Sequence, residues 1–301
     1  MAKVAVVSAQ ANTTLIPVCV FTGRRNALSR WLEGRGVIMI YHEPIWRSKL
    51  IAGLARARQL NHQAHSPLYT SDEKAIATWL RIDIPTLGFV DPYVLYADID
   101  VIFCADVTLS DFGPTLPSYF TIGAESNGGL VSIFSGATGK HVSMGNAGVM
   151  LMNIAALQRT HSHFTSWIFS LRNLHNGLHF GIYGPQDQGA YNLFYRGKFV
   201  VRRWPLFNWK PYWGFEKHAK IIHFHGPKPV DYIAASHNKS HGHKQFRSLL
   251  RRCHRSPPMT TQTRAVVRGE MNGRGCFEYI FTWLHILSSL PALDPEPAPT
   301  N

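Results

Sequence analysis

The sequence lacks any apolar run near the ~20 residues that a membrane-spanning helix requires, so no transmembrane segment is predicted. The apolar stretch Met1 to Ala9 is too short for a secretory signal, and no signal peptide is predicted. Cysteine is scarce: there are four in 301 residues, none in a Cys-x-x-Cys pair, which argues against a disulfide framework. Cys19 and Cys104 lie in apolar, strand-like segments. We expect both to be buried free thiols in a reducing compartment.

Acidic residues are also few, since 18 Asp and Glu stand against 31 Lys and Arg, which gives a net charge of +13. Such a balance favours an anionic partner: a nucleotide, a phosphorylated lipid, a nucleic acid or a membrane surface. The sixteen histidines would add positive charge in mildly acidic conditions. Neither His161 and His163 nor the group His237, His241 and His243 has paired cysteines or carboxylates beside it. We therefore interpret them as solvated loop residues and not as zinc ligands.

Apolar strand-like segments alternate with amphipathic helical ones, which predicts an α/β fold. Leu15–Phe21, Asn26–Glu33 and Val37–Tyr41 have the pattern of a strand–helix–strand unit, while the segment 3–10 is compatible with a strand or a helix. The other predicted segments are helices at 48–62, 71–84 and 155–174, a helix that opens at 187, strands at 93–103, 146–153, 199–202 and 220–224, and a loop-rich stretch at 111–143.

The strand predicted over Tyr93 to Phe103 carries two carboxylates, Asp98 and Asp100, in an otherwise apolar run. Successive side chains of a strand point to opposite faces, so these two are expected to point the same way. Like charges on one face repel and are costly to desolvate unless a cation lies near them. Hard oxygen ligands suit Mn²⁺ or Mg²⁺, which commonly arrive with phosphate oxygens. This stretch alone is equally compatible with a solvated pair at a strand end.

Four further stretches occur with the carboxylates in a set order. Leu80-Arg81-Ile82 precedes the carboxylate stretch Tyr96 to Asp100. Three stretches follow it: Gly145 to Asn153, Asp187 to Asn192 and His223 to Pro229. Together the five stretches resemble the family 8 glycosyltransferases, the retaining GT-A group that includes glycogenin and bacterial lipopolysaccharide galactosyl- and glucosyltransferases. The resemblance extends over about residues 3 to 230. It implies a GT-A fold, a Rossmann-like nucleotide-diphospho-sugar transferase with a mixed central sheet flanked by helices.

The resemblance also implies a metal site. Asp98 and Asp100 match the DxD motif, and His223 matches the third protein ligand of Mn²⁺ (or Mg²⁺), for which an imidazole beside two carboxylates is a suitable donor set. The alternative for His223 is a strand-end histidine that is satisfied by hydrogen bonds.

Residues that hold the sugar donor follow in the same way. Asn146 and Asp187 match residues that bind the donor-sugar hydroxyls, and Gln188 matches the amide near the anomeric carbon, so Asp187 and Gln188 are the predicted catalytic residues. A helix N-cap pair is the alternative for these two. Arg81 matches an arginine that reaches the diphosphate or sugar, against the alternative of an exposed helix arginine. The remaining predicted donor-binding residues are Ile99, Ala147, Gly226 and Lys228.

The sequence departs from the family pattern at two places. Lys3 to Asn12 and Leu15 to Phe21 fit the family's first helix and second strand, so we expect the first strand and its base-binding loop to be missing. In the other register Ala9 to Asn12 is the base loop, but without an acidic residue. The second departure is Val230, where the family usually has Trp.

Two parts are predicted in the chain: a GT-A domain at 1–232 and a C-terminal appendage at 233–301. The appendage is basic over 239–274, apolar over 276–290 and Pro-rich after 294, where disorder is expected. It has the composition of an anchor for an anionic membrane surface, and equally that of a solvated tail plus a helix packed on the core.

We therefore expect a cytoplasmic hexosyltransferase, with peripheral membrane association left open, that uses a UDP-sugar and Mn²⁺ and has an unknown glycan, lipid-linked or protein acceptor. No specific nucleic acid partner is expected. Two other functions remain open: a membrane- or polyanion-binding protein with a truncated, inactive transferase domain, and a nucleotidyltransferase.

Overall fold

The chain contains both helices and strands, as the sequence predicts for an α/β fold. The computed structural model describes residues 1–60, 71–124, 144–183, 186–202, 206–213, 216–225, 228–229, 279, 282–283 and 285–290. The helices are α1 (Ala2–Asn12), α2 (Ala27–Gly34), α3 (Arg47–Gln59), α4 (Asp72–Trp79), α5 (Ile154–Ile168), α6 (Leu171–His175) and α7 (Gln186–Phe194). The strands are β1 (Val18–Phe21), β2 (Ile38–Tyr41), β3 (Tyr93–Ala97), β4 (Val101–Phe103), β5 (Phe120–Ala124), β6 (Gly145–Asn153), β7 (Val200–Arg202) and β8 (Ile221–His223). Within these described residues no helix is long and apolar enough to cross a membrane.

The N-terminal strand–helix–strand prediction is confirmed. β1 and β2 pair in parallel, with Val18 opposite Ile38, and α2 connects them. Asn26 caps α2, because its side chain accepts from the backbone N–H of Ser29 and the Ser29 side chain accepts in return. The ambiguous segment before this unit forms helix α1.

A four-stranded sheet of order β3-β6-β5-β7 lies at the centre of the fold. β6 pairs antiparallel with both neighbours, and β5 pairs in parallel with β7, so the sheet is mixed. All but the last residue of β6 are buried, which is the pattern of an inner strand covered on both faces. β4 pairs antiparallel with β8 in a separate two-stranded sheet.

Three element predictions outside the segment 93–103 are wrong in part. β5 lies inside the stretch 111–143 that was predicted as loop. The helix predicted over 155–174 is two helices, α5 and α6, with a break at 169–170. The helix predicted through Ile84 changes at Leu80 to a 3₁₀ segment, Leu80–Thr86. Pro85 has no N–H to donate to the carbonyl of Arg81, and that carbonyl instead accepts from the Tyr191 hydroxyl at 3.3 Å.

The predictions for cysteine and histidine also need correction. Cys19 and Cys104 are free thiols, as expected, but Cys104 follows β4 and is exposed, while Cys19 is only partly buried. His161 and His163 lie on α5 and not in a solvated loop. The group His237, His241 and His243, like most of the 233–301 appendage, lies outside the described residues.

The buried carboxylate of Asp83 links three parts of the fold beside the core. Asp83, in the 3₁₀ segment, accepts from the Trp46 indole N–H at 2.9 Å. Its two oxygens lie 2.8 Å from His42 Nε2, after β2, and 2.9 Å from His161 Nε2, on α5. Burial opposes ionisation, but the hydrogen bonds from these partners outweigh it and lower the pKa of Asp83 below its ordinary value. This network fixes the segment that carries Arg81 toward the centre of the fold.

Candidate active site

The two predicted carboxylates lie in a turn where the chain passes from one sheet to another. β3 ends at Ala97 and β4 begins at Val101, so the expectation of one continuous strand through Asp98 and Asp100 is wrong. The chain breaks here because β3 pairs with β6 in the central sheet whereas β4 pairs with β8. The backbone N–H of Asp98 donates to the Gly148 carbonyl at 2.8 Å, and the Asp100 carbonyl accepts from Phe224 N–H at 2.9 Å. Each carboxylate is thus attached to a different sheet.

His223 meets both carboxylates at this junction. It is the last residue of β8, and the strand register places it opposite Val101, directly after the turn. Its Nε2 lies 3.3 Å from Asp100 Oδ1 and 3.7 Å from Asp98 Oδ2. The ligand atoms of the three side chains all lie within 4.8 Å of one another, and the described part of the chain contains no other such group of His, Cys, Asp or Glu. The structure therefore brings the three sequence-predicted metal ligands together.

The donor atoms of this group fit a divalent cation. Asp100 Oδ1 is buried and accepts no hydrogen bond from the described residues, so it is an oxygen directed at the group without a partner to compensate its burial. Burial opposes ionisation of Asp100, but His223 and Lys228 outweigh it and hold the pKa of this carboxyl well below its usual range. An ionised carboxylate pair with one imidazole nitrogen is a donor set that suits Mn²⁺.

Arg81 joins the carboxylate turn to helix α7. The arginine is buried, with 5% of its surface exposed, so the alternative of an exposed helix arginine is excluded. Its Nε lies 2.6 Å from Asp187 Oδ2, and its Nη2 lies 3.1 Å from Asp98 Oδ1. Its Nη1 donates to the Ala147 carbonyl, and the guanidinium carbon lies 4.7 Å from the centre of the Tyr96 ring. One cation thus holds two carboxylates in place.

Asp187 differs from Asp100 in its electrostatic setting. It is buried in the first turn of α7, and burial raises the pKa of its carboxyl although the adjacent Arg81 lowers it. Helix α7 begins at Gln186, so Asp187 and Gln188 are residues of its first turn.

The start of β6 holds α7 against the site. The Asn192 side chain accepts from Gly145 N–H and donates to the Gly145 carbonyl, both at 2.9 Å. Gln188 Oε1 accepts from Ala147 N–H at 3.2 Å and from Asn146 Nδ2 at 3.1 Å. Asn146, Ala147, Asp187 and Gln188 therefore lie together beside Arg81, as the resemblance implies.

The three other predicted residues have different positions. Ile99 lies between the two carboxylates, and its side chain is 61% exposed. Lys228 Nζ contacts Asp100 Oδ2 and donates to the Phe224 carbonyl at 2.9 Å, so it lies on the metal-ligand side of the site. Gly226 lies outside the described residues.

The structure adds three residues that the sequence reasoning missed. The Tyr96 hydroxyl donates to Asp98 Oδ1, and Asn208 Oδ1 lies 2.6 Å from His223 Nδ1. Gly148 packs so closely against the His223 ring that an added Cβ would overlap it. Asn208 is a polar residue among aromatic neighbours in the sequence, and this contrast was a signal that could have identified it. Tyr96 and Gly148 have the pattern of ordinary strand residues.

Comparison with known proteins identifies the fold. The galactosyltransferase LgtC in complex with donor and acceptor sugar analogs is 18% identical, with a TM-score of 0.51, over 90% of this chain and 95% of that chain. A structure of an active-site mutant of LgtC is also 18% identical, with a TM-score of 0.50, over 82% and 91% of the two chains. The apo form of mouse xyloside xylosyltransferase 1 is 18% identical, with a TM-score of 0.48, over 74% and 91%.

The likeness to the LgtC structures shows that this chain has the GT-A fold of the family 8-like glycosyltransferases. No protein-family model matches the sequence, and no curated protein matches it significantly. At this level of identity the comparison concerns the fold, and what the chain does rests on the residues at its site.

Proposed function

We propose that the chain is a retaining glycosyltransferase of family 8 type, which transfers a hexose from a UDP-sugar to an acceptor hydroxyl with the help of Mn²⁺. The observation that carries the proposal is the convergence of Asp98, Asp100 and His223 at the sheet junction, within 4.8 Å of one another. Two ionised carboxylates and a histidine in close proximity are stable when a divalent cation lies among them. Such a cation, once bound, supplies charge neutralisation for a diphosphate leaving group.

Lys228 extends the positive charge at the diphosphate position. Its ammonium group already lies beside Asp100, at the edge of the proposed metal site. Negative charge on the diphosphate oxygens grows as the glycosidic bond breaks, so a fixed cation there stabilises the transition state more than the ground state. The resemblance assigns Ile99 and Gly226 to the donor as well; Ile99 lies between the two carboxylates, and Gly226 lies outside the described residues.

The residues of α7 and β6 are assigned to the sugar. Asn146, with Ala147, and Asp187 hold its hydroxyls, and Gln188 lies near the anomeric carbon. Arg81 keeps Asp187 in place and balances its charge, at 2.6 Å. The described residues offer no second carboxylate free to serve as nucleophile in a double displacement, since Asp187 is paired with Arg81.

The resemblance to the retaining family 8 enzymes implies a same-face substitution, and we infer that route here because no carboxylate pair of the described residues suits a double displacement. The bond from the anomeric carbon to UDP breaks, the acceptor oxygen bonds to the same face of that carbon, and the acceptor proton passes to the departing diphosphate. The site residues orient the donor and acceptor and stabilise the leaving charge.

The test is release of UDP from UDP-sugars in the presence of Mn²⁺, with and without EDTA. We expect release to need the metal and to be lost in Asp98→Asn. Asp91→Asn is the matched control, since Asp91 is exposed and lies before β3, outside the site. Release that persists in Asp98→Asn, or that survives EDTA, contradicts the proposal. A product with inverted anomeric configuration, seen by NMR, contradicts the same-face substitution.

A further inference from the structure

Asn208 is a buried polar side chain that adopts an uncommon backbone conformation next to the metal-ligand group. Only 1% of its surface is exposed, and its φ is +65°, in the left-handed region. That region disfavours residues with a Cβ by about 1–2 kcal/mol, although asparagine tolerates it better than most. A strained residue that persists beside a site is a reason to look for a role for its side chain.

Strand β8 determines where Asn208 lies. The next residue, Trp209, pairs with β8: its N–H donates to the Ile221 carbonyl at 3.0 Å, and its carbonyl accepts from His223 N–H at 2.7 Å. Gly123 allows the close approach on the other side, because an added Cβ there would lie 2.8 Å from Asn208 Cβ. The Asn208 amide is therefore held next to the His223 ring.

A backbone group fixes which way this amide faces. Gly148 N–H donates to Asn146 Oδ1 at 3.1 Å, so that oxygen is an acceptor. The atom of Asn208 that faces it at 3.0 Å must then be the donor Nδ2. The oxygen of Asn208 consequently faces His223 Nδ1, at 2.6 Å. The reverse orientation would set two acceptor oxygens against each other, at the cost of a buried hydrogen bond.

The orientation of the amide decides the tautomer of His223. Because Asn208 Oδ1 is an acceptor, the proton of the neutral imidazole lies on Nδ1, and the lone pair lies on Nε2. Nε2 is the nitrogen that lies 3.3 Å from Asp100 Oδ1, within the metal-ligand group. Metal-binding histidines are commonly oriented by a hydrogen bond from the other ring nitrogen in this way.

The series of hydrogen-bonded side-chain amides, Asn208 and Asn146, continues to Gln188. Asn146 Nδ2 donates to Gln188 Oε1 at 3.1 Å, and the backbone N–H of Ala147 donates to the same oxygen at 3.2 Å. The backbone donors on Gly148 and Ala147 thus determine which group donates and which accepts in the series of hydrogen bonds from His223 to Gln188.

We propose that Asn208 is a positioning residue: it selects the Nδ1–H tautomer of His223, which leaves Nε2 for a divalent cation, and through Asn146 it links that histidine to the orientation of Gln188. The assignment of the cation and of Gln188 rests on the proposed function. The selection of the tautomer does not, because it is a property of the protein without metal or donor.

The first test measures the tautomer directly. In metal-free, ¹⁵N-labelled protein, long-range proton–nitrogen NMR distinguishes a protonated Nδ1 from a protonated Nε2, and the signals of His223 are identified by their loss in His223→Gln. We expect wild-type protein to carry the proton on Nδ1. An Nδ1 that carries no proton in wild-type protein overturns the inference, whether or not Nε2 is protonated, and this result needs no variant of Asn208.

Two variants separate the side chain from the backbone. Asn208→Gly keeps the left-handed conformation at no steric cost but removes the amide, and we expect His223 to move toward the Nε2–H tautomer. Asn208→Asp keeps an acceptor at Nδ1 but loses the donor that faces Asn146 Oδ1, and we expect the proton to remain on Nδ1. Asn176→Gly, at an exposed position after α6, is the matched control. A tautomer that is unchanged in folded Asn208→Gly overturns the inference.

The second test measures affinity for Mn²⁺ alone by electron paramagnetic resonance. We expect Asn208→Gly to bind the ion about 10- to 100-fold more weakly than wild-type protein or Asn176→Gly. Equal affinity in folded Asn208→Gly contradicts the role of Asn208 at the metal site. If UDP release fails in wild-type protein while the tautomer depends on Asn208, the proposed function fails and the tautomer inference stands. If Mn²⁺-dependent UDP release occurs but the tautomer does not depend on Asn208, the proposed function stands and the tautomer inference fails.

Discussion

The substitution Gly148→Ala is the most direct test of the metal site, because the absence of a side chain at Gly148 allows the His223 ring to approach β6. A Cβ placed on Gly148 would lie 2.7 Å from His223 Nδ1 and 2.9 Å from Asn146 Oδ1, and closer still to His223 Cε1. Separations below 3.0 Å are essentially never found for Cβ atoms, and ordinary contact begins at 3.4 Å. The nearest ring atom is Cε1, so in Gly148→Ala the imidazole has to move by about 1.2 Å to restore ordinary contact.

This displacement has two measurable consequences. Overpacking of a buried site typically lowers the free energy of unfolding by about 1–3 kcal/mol, which urea denaturation detects. Movement of the ring away from Asn208 and the carboxylates also weakens the ligand geometry, and we expect affinity for Mn²⁺ to fall about 10- to 100-fold. That loss corresponds to about 1.4–2.7 kcal/mol of binding free energy, measured by titration with Mn²⁺.

The matched control is Gly34→Ala, at the last residue of α2, where an added Cβ meets nothing within 4 Å. We expect this variant to bind Mn²⁺ as wild-type protein does. If Gly148→Ala is folded and binds Mn²⁺ with unchanged affinity, His223 does not contribute a metal ligand from the position that the structure gives it.

Three further predictions concern the charged groups. Asp83→Asn should lower the free energy of unfolding by about 1–3 kcal/mol at neutral pH in urea, because one of two acceptor oxygens becomes a donor that faces a buried partner. The pKa of the Asp83 carboxyl is lowered from 3.8, so the ionised carboxylate stabilises the protein above pH 3.8. The difference in free energy of unfolding between wild-type protein and Asp83→Asn should therefore shrink as the pH falls below 3.8. Arg81→Lys should reduce Mn²⁺-dependent UDP release at least tenfold, since lysine cannot contact Asp98 and Asp187 together as the planar guanidinium does. Mn²⁺ at 100 times its dissociation constant should stabilise wild-type protein by about 2.7 kcal/mol in thermal unfolding, and should have no such effect on Asp100→Asn.

The sequence was most informative where chemistry and pattern coincide. Asp98 and Asp100 were predicted from residue type and spacing, and His223 from the family resemblance, and the three converge in the structure. Arg81 and Asp187 were predicted as separate donor-binding residues, whereas the structure shows them as an ion pair at 2.6 Å. Their pairing depends on how the 3₁₀ segment packs on α7, a contact between segments about a hundred residues apart that no local pattern encodes.

The residues that the sequence analysis missed show what local sequence patterns cannot predict. Asn208 acts through the direction of its amide, and that direction is set by the backbone of β6, far away in the sequence. Gly148 matters because of the ring that packs on it and not because of its own backbone conformation. β5 was missed because its five residues, which include Gly123, carry a weak alternating pattern beside a loop-rich stretch. The strand forms because β6 and β7 pair with it on both sides.

The break between β3 and β4 explains why the site depends on the fold as a whole. Had the chain continued as one strand, the positions of Asp98 and Asp100 would be set by that strand alone. Instead Asp98 is attached through its N–H to β6, and Asp100 through its carbonyl to the residue after β8. The distance between the two carboxylates therefore depends on how the β4–β8 pair packs on the central sheet.

One apolar cluster maintains that packing: Val101 and Ile221, from β4 and β8, are buried in the same cluster as Val149 and Leu151 of β6. Close-packed interiors deform little, so this cluster restricts movement of one sheet relative to the other. His223 and Asn208 are attached to the β8 side of the same junction, whereas Gly148 belongs to the β6 side. Geometry at the ion is thus a property of the interface between the sheets, and substitutions that shift this interface should alter metal affinity even where they touch no ligand.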